Sequence, residues 1–184
     1  MEKNEIRKEI RNRKKQWAPA TLRLWSQIAC SLIEQTQEFQ QAETILLYSA
    51  LPDEADTSFL LHQYAKRKKI LLPVVCENDL LIREYQDEAN LSTDNAYGIP
   101  EPQGENLDLN LIKIDLIIVP GMAFTPQGQR LGRGKGFYDR LLTHPSLQHV
   151  HRIGLCFPFQ LLPELPCESH DINMHQVICA TSEK

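Results

Sequence analysis

The sequence has 184 residues, of which 42% are hydrophobic and 24% charged, with a formal net charge of −4. Those totals describe a single domain (1–184) with one sizeable core and exclude wholesale disorder. No apolar run reaches the roughly 20 residues that cross a bilayer, and Met1-Glu2-Lys3-Asn4-Glu5 lacks the apolar core of a secretion signal, which predicts a cytoplasmic protein with no membrane partner.

Cys30, Cys76, Cys156, Cys167 and Cys179 are scattered, odd in number and form no C-x-x-C pair. A disulfide framework or structural zinc site is not expected from that pattern. Charge is unevenly spread. Residues 1–25 carry eight Lys/Arg against three acids, leaving −9 for the rest. A local basic patch on an acidic chain suits a small phosphorylated ligand better than a nucleic acid, which favours an extended basic face.

In chain order, residues 2–16 read as a helix, with Ile6, Ile10 and Trp17 on one face and Lys3, Arg7, Arg11 and Lys14 on an adjacent stripe. By itself that stripe reads as a solvated face. A second helix begins at Pro19, a residue suited to the first helical position, and carries an apolar stripe through Leu22, Trp25, Ala29 and Ile33. Thr44–Tyr48 reads as a strand. It ends in the polar loop Ser49–Thr57, which can cap the next helix (Phe59–Ala65). Strands are predicted over 70–75 and 80–85, then an acidic, turn-rich stretch over 86–110 that contains Tyr97-Gly98-Ile99-Pro100-Glu101-Pro102. Asp115–Val119 is almost wholly apolar, as for a strand buried on both faces. A glycine-rich loop follows, then a helix over about 134–142 and strands near 152–156 and 177–180.

Helices and continuous apolar strands alternate. The expected class is α/β, a sandwich around a mainly parallel sheet. Ligands of such sheets sit at the carboxyl ends of the strands, where Ser49–Thr57 and Pro120–Tyr138 both fall.

The chemistry concentrates in Arg130-Leu131-Gly132-Arg133-Gly134-Lys135-Gly136-Phe137-Tyr138-Asp139-Arg140. Alternating glycines let backbone N–H groups close on a ligand, the interleaved Arg and Lys supply charge, and the following helix adds its positive end. The composition is that of a phosphate cradle. It is neither the P-loop, because Gln129 stands where that motif needs glycine, nor the dinucleotide fingerprint. The competing reading is a flexible charged surface loop. Asp139 is a candidate Mg²⁺ ligand or a helix-start acid, and Asp171 is a second candidate ligand. His149 and His151 form an H-x-H without an evident third ligand.

This loop resembles the signature of the 5-formyltetrahydrofolate cyclo-ligase (methenyltetrahydrofolate synthetase) family. Further pieces match in order: Lys3-x-x-x-Arg7, Asp53-Glu54-Ala55-Asp56-Thr57, Tyr97–Pro102, Asp115–Gly121 and His170-Asp171. The resemblance implies a three-layer α/β/α sandwich and a ligase that closes 5-formyltetrahydrofolate to 5,10-methenyltetrahydrofolate with ATP and Mg²⁺. In that chemistry the formyl oxygen is phosphorylated, N10 attacks the activated carbon, and phosphate leaves.

The resemblance also implies residue roles. Lys3, Arg7 and the run Arg130, Leu131, Gly132, Arg133, Gly134, Lys135, Gly136, Phe137 and Tyr138 should hold ATP, with Arg133, Lys135 and Tyr138 catalytic. Asp139 and Asp171 should hold Mg²⁺. Ser49, Glu54, Tyr97, Ile99, Pro100 and Phe137 should contact the folate, with or without a polyglutamate tail, and the chain is expected to be a monomer. Three residues depart from the family pattern: Phe137 where Tyr is common, His175 where Asp is common, and Cys179 where Thr is common. The alternatives are a sugar-phosphate isomerase or CoA transferase-like enzyme on a similar scaffold, and a nucleotide- or RNA-binding module using the basic N-terminus.

Overall fold

The computed structural model describes residues 2–168 and 171–180. The elements run α1 (Lys3–Lys14), α2 (Pro19–Glu34), α3 (Gln37–Gln41), β1 (Thr44–Leu46), α4 (Ser58–Tyr64), β2 (Lys69–Cys76), β3 (Asp79–Tyr85), β4 (Leu91–Ser92), β5 (Glu101–Pro102), β6 (Leu116–Val119), β7 (Ala123–Phe124), β8 (Arg130–Leu131), α5 (Phe137–Leu142), β9 (His151–Cys156) and β10 (Gln176–Cys179).

Six strands form one sheet in the order β10-β9-β6-β1-β2-β3, parallel except for the β2–β3 hairpin. The apolar strands serve two cores because side chains alternate across a sheet. Ile45, Leu116, Ile118, Ile153 and Leu155 face α2, α3 and α4, packing with Trp25, Ile33, Phe39 and Leu60. Leu46, Ile117, Val119 and Cys156 face the other way, onto Leu141 and Leu142 of α5, Leu147 and Val150. All four residues of β6 are buried. Each such Leu or Ile contributes about 1.5–3 kcal/mol relative to exposure. The α/β class and the parallel centre match the expectation. The second helical layer is thin, with α5 supplemented by Leu107, Leu109 and Ile112 of an irregular segment.

Helix α1 covers neither face. Its Ile6 and Ile10 pack on Met122, Ala123, Leu131 and Leu165 in a satellite cluster. The expected helix over 2–16 stops at Lys14, and Trp17 leaves the apolar face predicted for it. Trp17 lies in the connecting turn, 42% exposed, its ring 4.7 Å from that of Trp25.

Two short hairpins frame the strand ends. Strands β7 and β8 pair antiparallel, Ala123 with Leu131 and Phe124 with Arg130, so the front of the glycine-rich loop is a ribbon. Gly128 lies in its turn at φ +91°, and a Cβ there would stand 2.2 Å from the Met174 carbonyl oxygen. Gly128→Ala is expected to destabilise the fold by about 1–3 kcal/mol, read as a lower denaturant midpoint at unchanged m-value. Strands β4 and β5 bracket the turn at 95–100, and Glu101 anchors it by accepting the Val75 N–H (3.0 Å).

At the opposite end of the sheet, His175 Nδ1 accepts the Arg152 backbone N–H (3.1 Å), and its ring stacks on His151 at 5.0 Å. Burial, then the Arg152 cation and His151, hold the His175 pKa below its ordinary 6.5. The unfolded chain therefore takes up this proton first. Stability should fall as pH drops below about 6.5, and His175→Gln should flatten that stretch of the denaturation-versus-pH curve.

Candidate active site

The carboxyl ends of β1 and β6 open into a pocket. One wall is the β1 end (Tyr48, Ser49, Leu51, Glu54). Another is Pro120-Gly121 with the loop from Arg130 to Asp139, and a third is the turn carrying Tyr97 and Ile99. Pro73, Val75 and Leu80 give it an apolar floor. Segments about 80 residues apart therefore meet, because parallel strands bring their following loops to one edge.

The loop is held by ion pairs. Arg133 Nε donates to Glu54 Oε1 (2.9 Å), and the same guanidinium pairs with Asp53. Glu54 Oε2 accepts the Leu51 N–H (3.0 Å). Burial alone would lower the Arg133 pKa, but the hydrogen bonds and charges of Asp53 and Glu54 raise it overall. Arg130 is more deeply placed, its side chain 4% exposed. It donates to Asp139 Oδ1 (2.6 Å) and lies over the Tyr138 ring at 5.9 Å. Burial, then the negative charge of Glu54, pushes the Tyr138 pKa upward, so its hydroxyl keeps its proton near neutrality. Lys135 differs from both arginines. It is exposed on the pocket wall and enters no ion pair among the described residues.

Gly134 and Gly136 have φ of +98° and +69°. They turn the chain so that the helix begins at Phe137 rather than near 134 as predicted, since L side chains disfavour that backbone region. A Cβ on Gly134 would stand 3.3 Å from the Arg7 guanidinium carbon.

Helix α1 fastens to these loops at three points. Arg7 Nε donates to the Gly132 carbonyl (2.8 Å), Lys3 Nζ to Asp171 Oδ2 (2.8 Å), and Lys14 to the Pro52 carbonyl. The basic stripe is therefore more than a solvated face, because three of its members, Lys3, Arg7 and Lys14, bond to loops around the site.

The predicted site residues do not all converge. Ser49, Glu54, Tyr97, Ile99, Arg130, Gly132, Arg133, Lys135, Gly136, Phe137, Tyr138 and Asp139 line the pocket. Ser49 Oγ donates to the Pro100 carbonyl, tying that residue to the wall. Leu131 is in the satellite core, while Lys3, Arg7, Gly134 and Asp171 stand outside the lining. Glu54, expected at the folate, is engaged by Arg133. Asp139 and Asp171, expected to share a metal, pair with different cations, Arg130 and Lys3. Among the described residues no three His, Cys, Asp or Glu side chains gather as a metal site. Mg²⁺ often takes only one or two carboxylates beside phosphate oxygens and water. Asp139 fits that minimal set through Oδ2, which accepts no hydrogen bond among the described residues. Asp171 is committed to Lys3 and the Glu168 N–H (2.8 Å). His170, part of the resemblance, lies outside the described residues.

Three supporting residues carry little sequence signal. Gln160 is buried, donates to the Gly121 and Met122 carbonyls (3.1 and 3.2 Å) and accepts the Phe157 N–H (2.8 Å). Arg140 stacks on Phe137 at 5.5 Å and reaches Asp79 (3.0 Å), fixing α5 to the β2–β3 turn. Asn95 donates to the Ile99 carbonyl (2.6 Å) and accepts the Tyr97 N–H (3.1 Å). Its place just ahead of Tyr97-Gly98 is the one available cue, since Asn side chains commonly bond backbone two residues on.

Residues 1–180 match the 5-formyltetrahydrofolate cyclo-ligase family. The chain belongs to that family. It is 31% identical over 174 residues to the 5-formyltetrahydrofolate cyclo-ligase of Escherichia coli K12, covering 92% of this chain and 95% of the relative. The Haemophilus influenzae cyclo-ligase is 32% identical over 159 residues, covering 83% and 82% of the two chains. The solved structure of Aquifex aeolicus 5,10-methenyltetrahydrofolate synthetase superposes with a TM-score of 0.85 at 31% identity, covering 99% of this chain and 91% of that one. Cyclo-ligase membership makes the protein a ligase of folate chemistry and sets aside the phosphosugar isomerase and CoA transferase-like alternatives. Among the described residues no helix is long and apolar enough to cross a membrane.

Proposed function

We propose that the chain closes 5-formyltetrahydrofolate to 5,10-methenyltetrahydrofolate at the expense of ATP, with Mg²⁺, in the cytoplasm. One observation carries the reading. An apolar, aromatic-edged pocket and a glycine-rich cationic loop share a wall, so a flat heterocycle and a phosphate chain have adjoining places. Five free thiols suit the reducing compartment.

In this reading the folate ring lies over Pro73, Val75 and Leu80 under the turn bearing Tyr97 and Ile99, with Glu54 at its polar edge. The triphosphate lies along Gly132–Gly136, with Arg7 behind the loop. The γ-phosphoryl group passes from ATP to the formyl oxygen as ADP leaves, N10 attacks the formyl carbon to close the five-membered ring and loses its proton to water, and the C–O bond breaks to release inorganic phosphate. No protein nucleophile is needed, so the work is positioning and neutralisation of charge. Lys135, which has no ion pair among the described residues, faces the transferred group. Tyr138, kept protonated, donates a hydrogen bond and does not serve as a base. Asp139 would hold the metal ion through Oδ2, and the ion would supply further charge neutralisation when bound.

The test is a near-ultraviolet time course with purified protein, 5-formyltetrahydrofolate, ATP and MgCl₂. Product absorbance should rise only with all components present and stop on adding a chelator. Folded protein that binds ATP yet yields no methenyl absorbance would sink the reading.

A further inference from the structure

Cys156 ends β9 and Cys179 ends β10, and the two are direct register partners in parallel strands. Side chains at matched positions of adjacent parallel strands leave the sheet on the same side. Both cysteines accordingly belong to the core face that holds Met174 and Val177. Adjacent strands run about 4.7–4.9 Å apart, inside the roughly 4.4–6.8 Å Cα separation that a disulfide spans. The two side chains pack in that one cluster, side by side across the β9–β10 pair. Their surroundings differ. Cys156 is fully buried, whereas Cys179 is partly open on the edge strand. The other three cysteines lack such a partner. Cys30 is buried and donates to the Asp56 carbonyl, while Cys76 and Cys167 stand exposed and apart.

We propose that Cys156 and Cys179 form a reversibly oxidisable dithiol, a modification site for peroxides that closes to a disulfide across the β9–β10 edge. The order of steps follows from exposure. Cys179 meets the oxidant first. Its thiolate attacks one peroxide oxygen, the O–O bond breaks, and a sulfenic acid forms as hydroxide leaves. The Cys156 sulfur then attacks the Cys179 sulfur. The S–S bond forms, the S–O bond breaks, and the departing hydroxide takes the Cys156 proton as water. Two thiols supply the two electrons that reduce one peroxide to two waters. The acidities agree with this division of labour. The neighbouring Cys156 thiol holds the Cys179 pKa below its ordinary 9.0, while the Cys179 sulfur, with burial, raises that of Cys156. A low-pKa, accessible thiol beside a resolving one is the arrangement that favours disulfide over further oxidation. Closure would tie the edge strand covalently to the sheet and stabilise it.

The experiment exposes full-length protein to a small molar excess of hydrogen peroxide under native conditions. Free thiols are counted, and the protein is then digested at Lys, Arg and Glu without reduction. Cleavage at Glu164 and Glu168 separates Cys156, Cys167 and Cys179 onto different peptides. The expected result is loss of two thiols of the five and one cross-linked pair joining the Cys156 and Cys179 peptides. A raised Tm should revert with dithiothreitol. Cys179→Thr should keep its fold and lose the cross-link, the Tm shift and the rapid phase of thiol loss. Preferential cross-links through Cys76 or Cys167, over-oxidation of Cys179 without a cross-link, or an unchanged thiol count would each overturn the proposal.

Discussion

Lys135→Ala is expected to lower kcat/KM by about 10²–10³-fold, the usual cost of removing one preorganised charge from a developing anion. The far-ultraviolet circular dichroism and Tm should not change. The separation follows from where the cation sits. Arg130 and Arg133 are held by carboxylates, but Lys135 is exposed and without an ion pair among the described residues, so the fold gains little from it. Lys135→Arg should recover part of the rate, because charge is kept while the compact ammonium becomes a planar fork. Near-wild-type turnover in the alanine variant would remove the phosphate role from this loop.

The second large effect concerns stability and site together. Arg130 is a nearly buried cation whose main partner is Asp139, and its Nε is buried without a hydrogen bond. Removing only the carboxylate leaves that charge uncompensated. Asp139→Ala should cost about 2–3 kcal/mol, below the full buried-pair value because Asp139 is 23% exposed, with a Tm fall of about 5–10 °C. Arg130→Met combined with Asp139→Leu removes both charges and keeps the volume. Most of the lost stability should return, as is common when a buried pair gives way to apolar packing. Activity should stay absent in the double variant. Differential scanning calorimetry alongside the near-ultraviolet assay separates the two readouts. Recovery of activity with the double variant would show that Asp139 does no more than hold Arg130.

How far the sequence is legible depends on the range of the forces involved. The all-apolar β6 and the stripe of α2 declare themselves because burial on one or two faces leaves a periodic imprint on neighbouring residues. Helix α3 leaves none. It is five residues long with one buried side chain, Phe39, and its only cue is Thr36, which caps it by accepting the Phe39 N–H (3.2 Å). The β7–β8 ribbon was hidden for the same reason, with two residues per strand around a Pro-Gln-Gly turn. In the site, the glycines and cations of 130–138 were readable as a cradle because they are contiguous. The union of Arg133 with Asp53 and Glu54 was not, since it joins residues 80 and 79 positions apart and each looks in isolation like a ligand-binding group. Gln160 is similar. A lone glutamine gives no hint that its amide carries two carbonyls of a distant loop.

The satellite packing of α1 has a consequence for motion. Ile6 and Ile10 touch neither face of the main sheet, so helix α1 can open without disturbing it, whereas the ribbon stays anchored in the sheet core through Phe124. Peeling α1 away would withdraw Lys3, Arg7 and Lys14 from the site loops at once, while both sheet cores stayed closed. Native-state hydrogen exchange should therefore show α1 amides opening at lower free energy than those of β1 and β6. Ligand that bridges Arg7 and the loop should slow that opening in proportion to its occupancy.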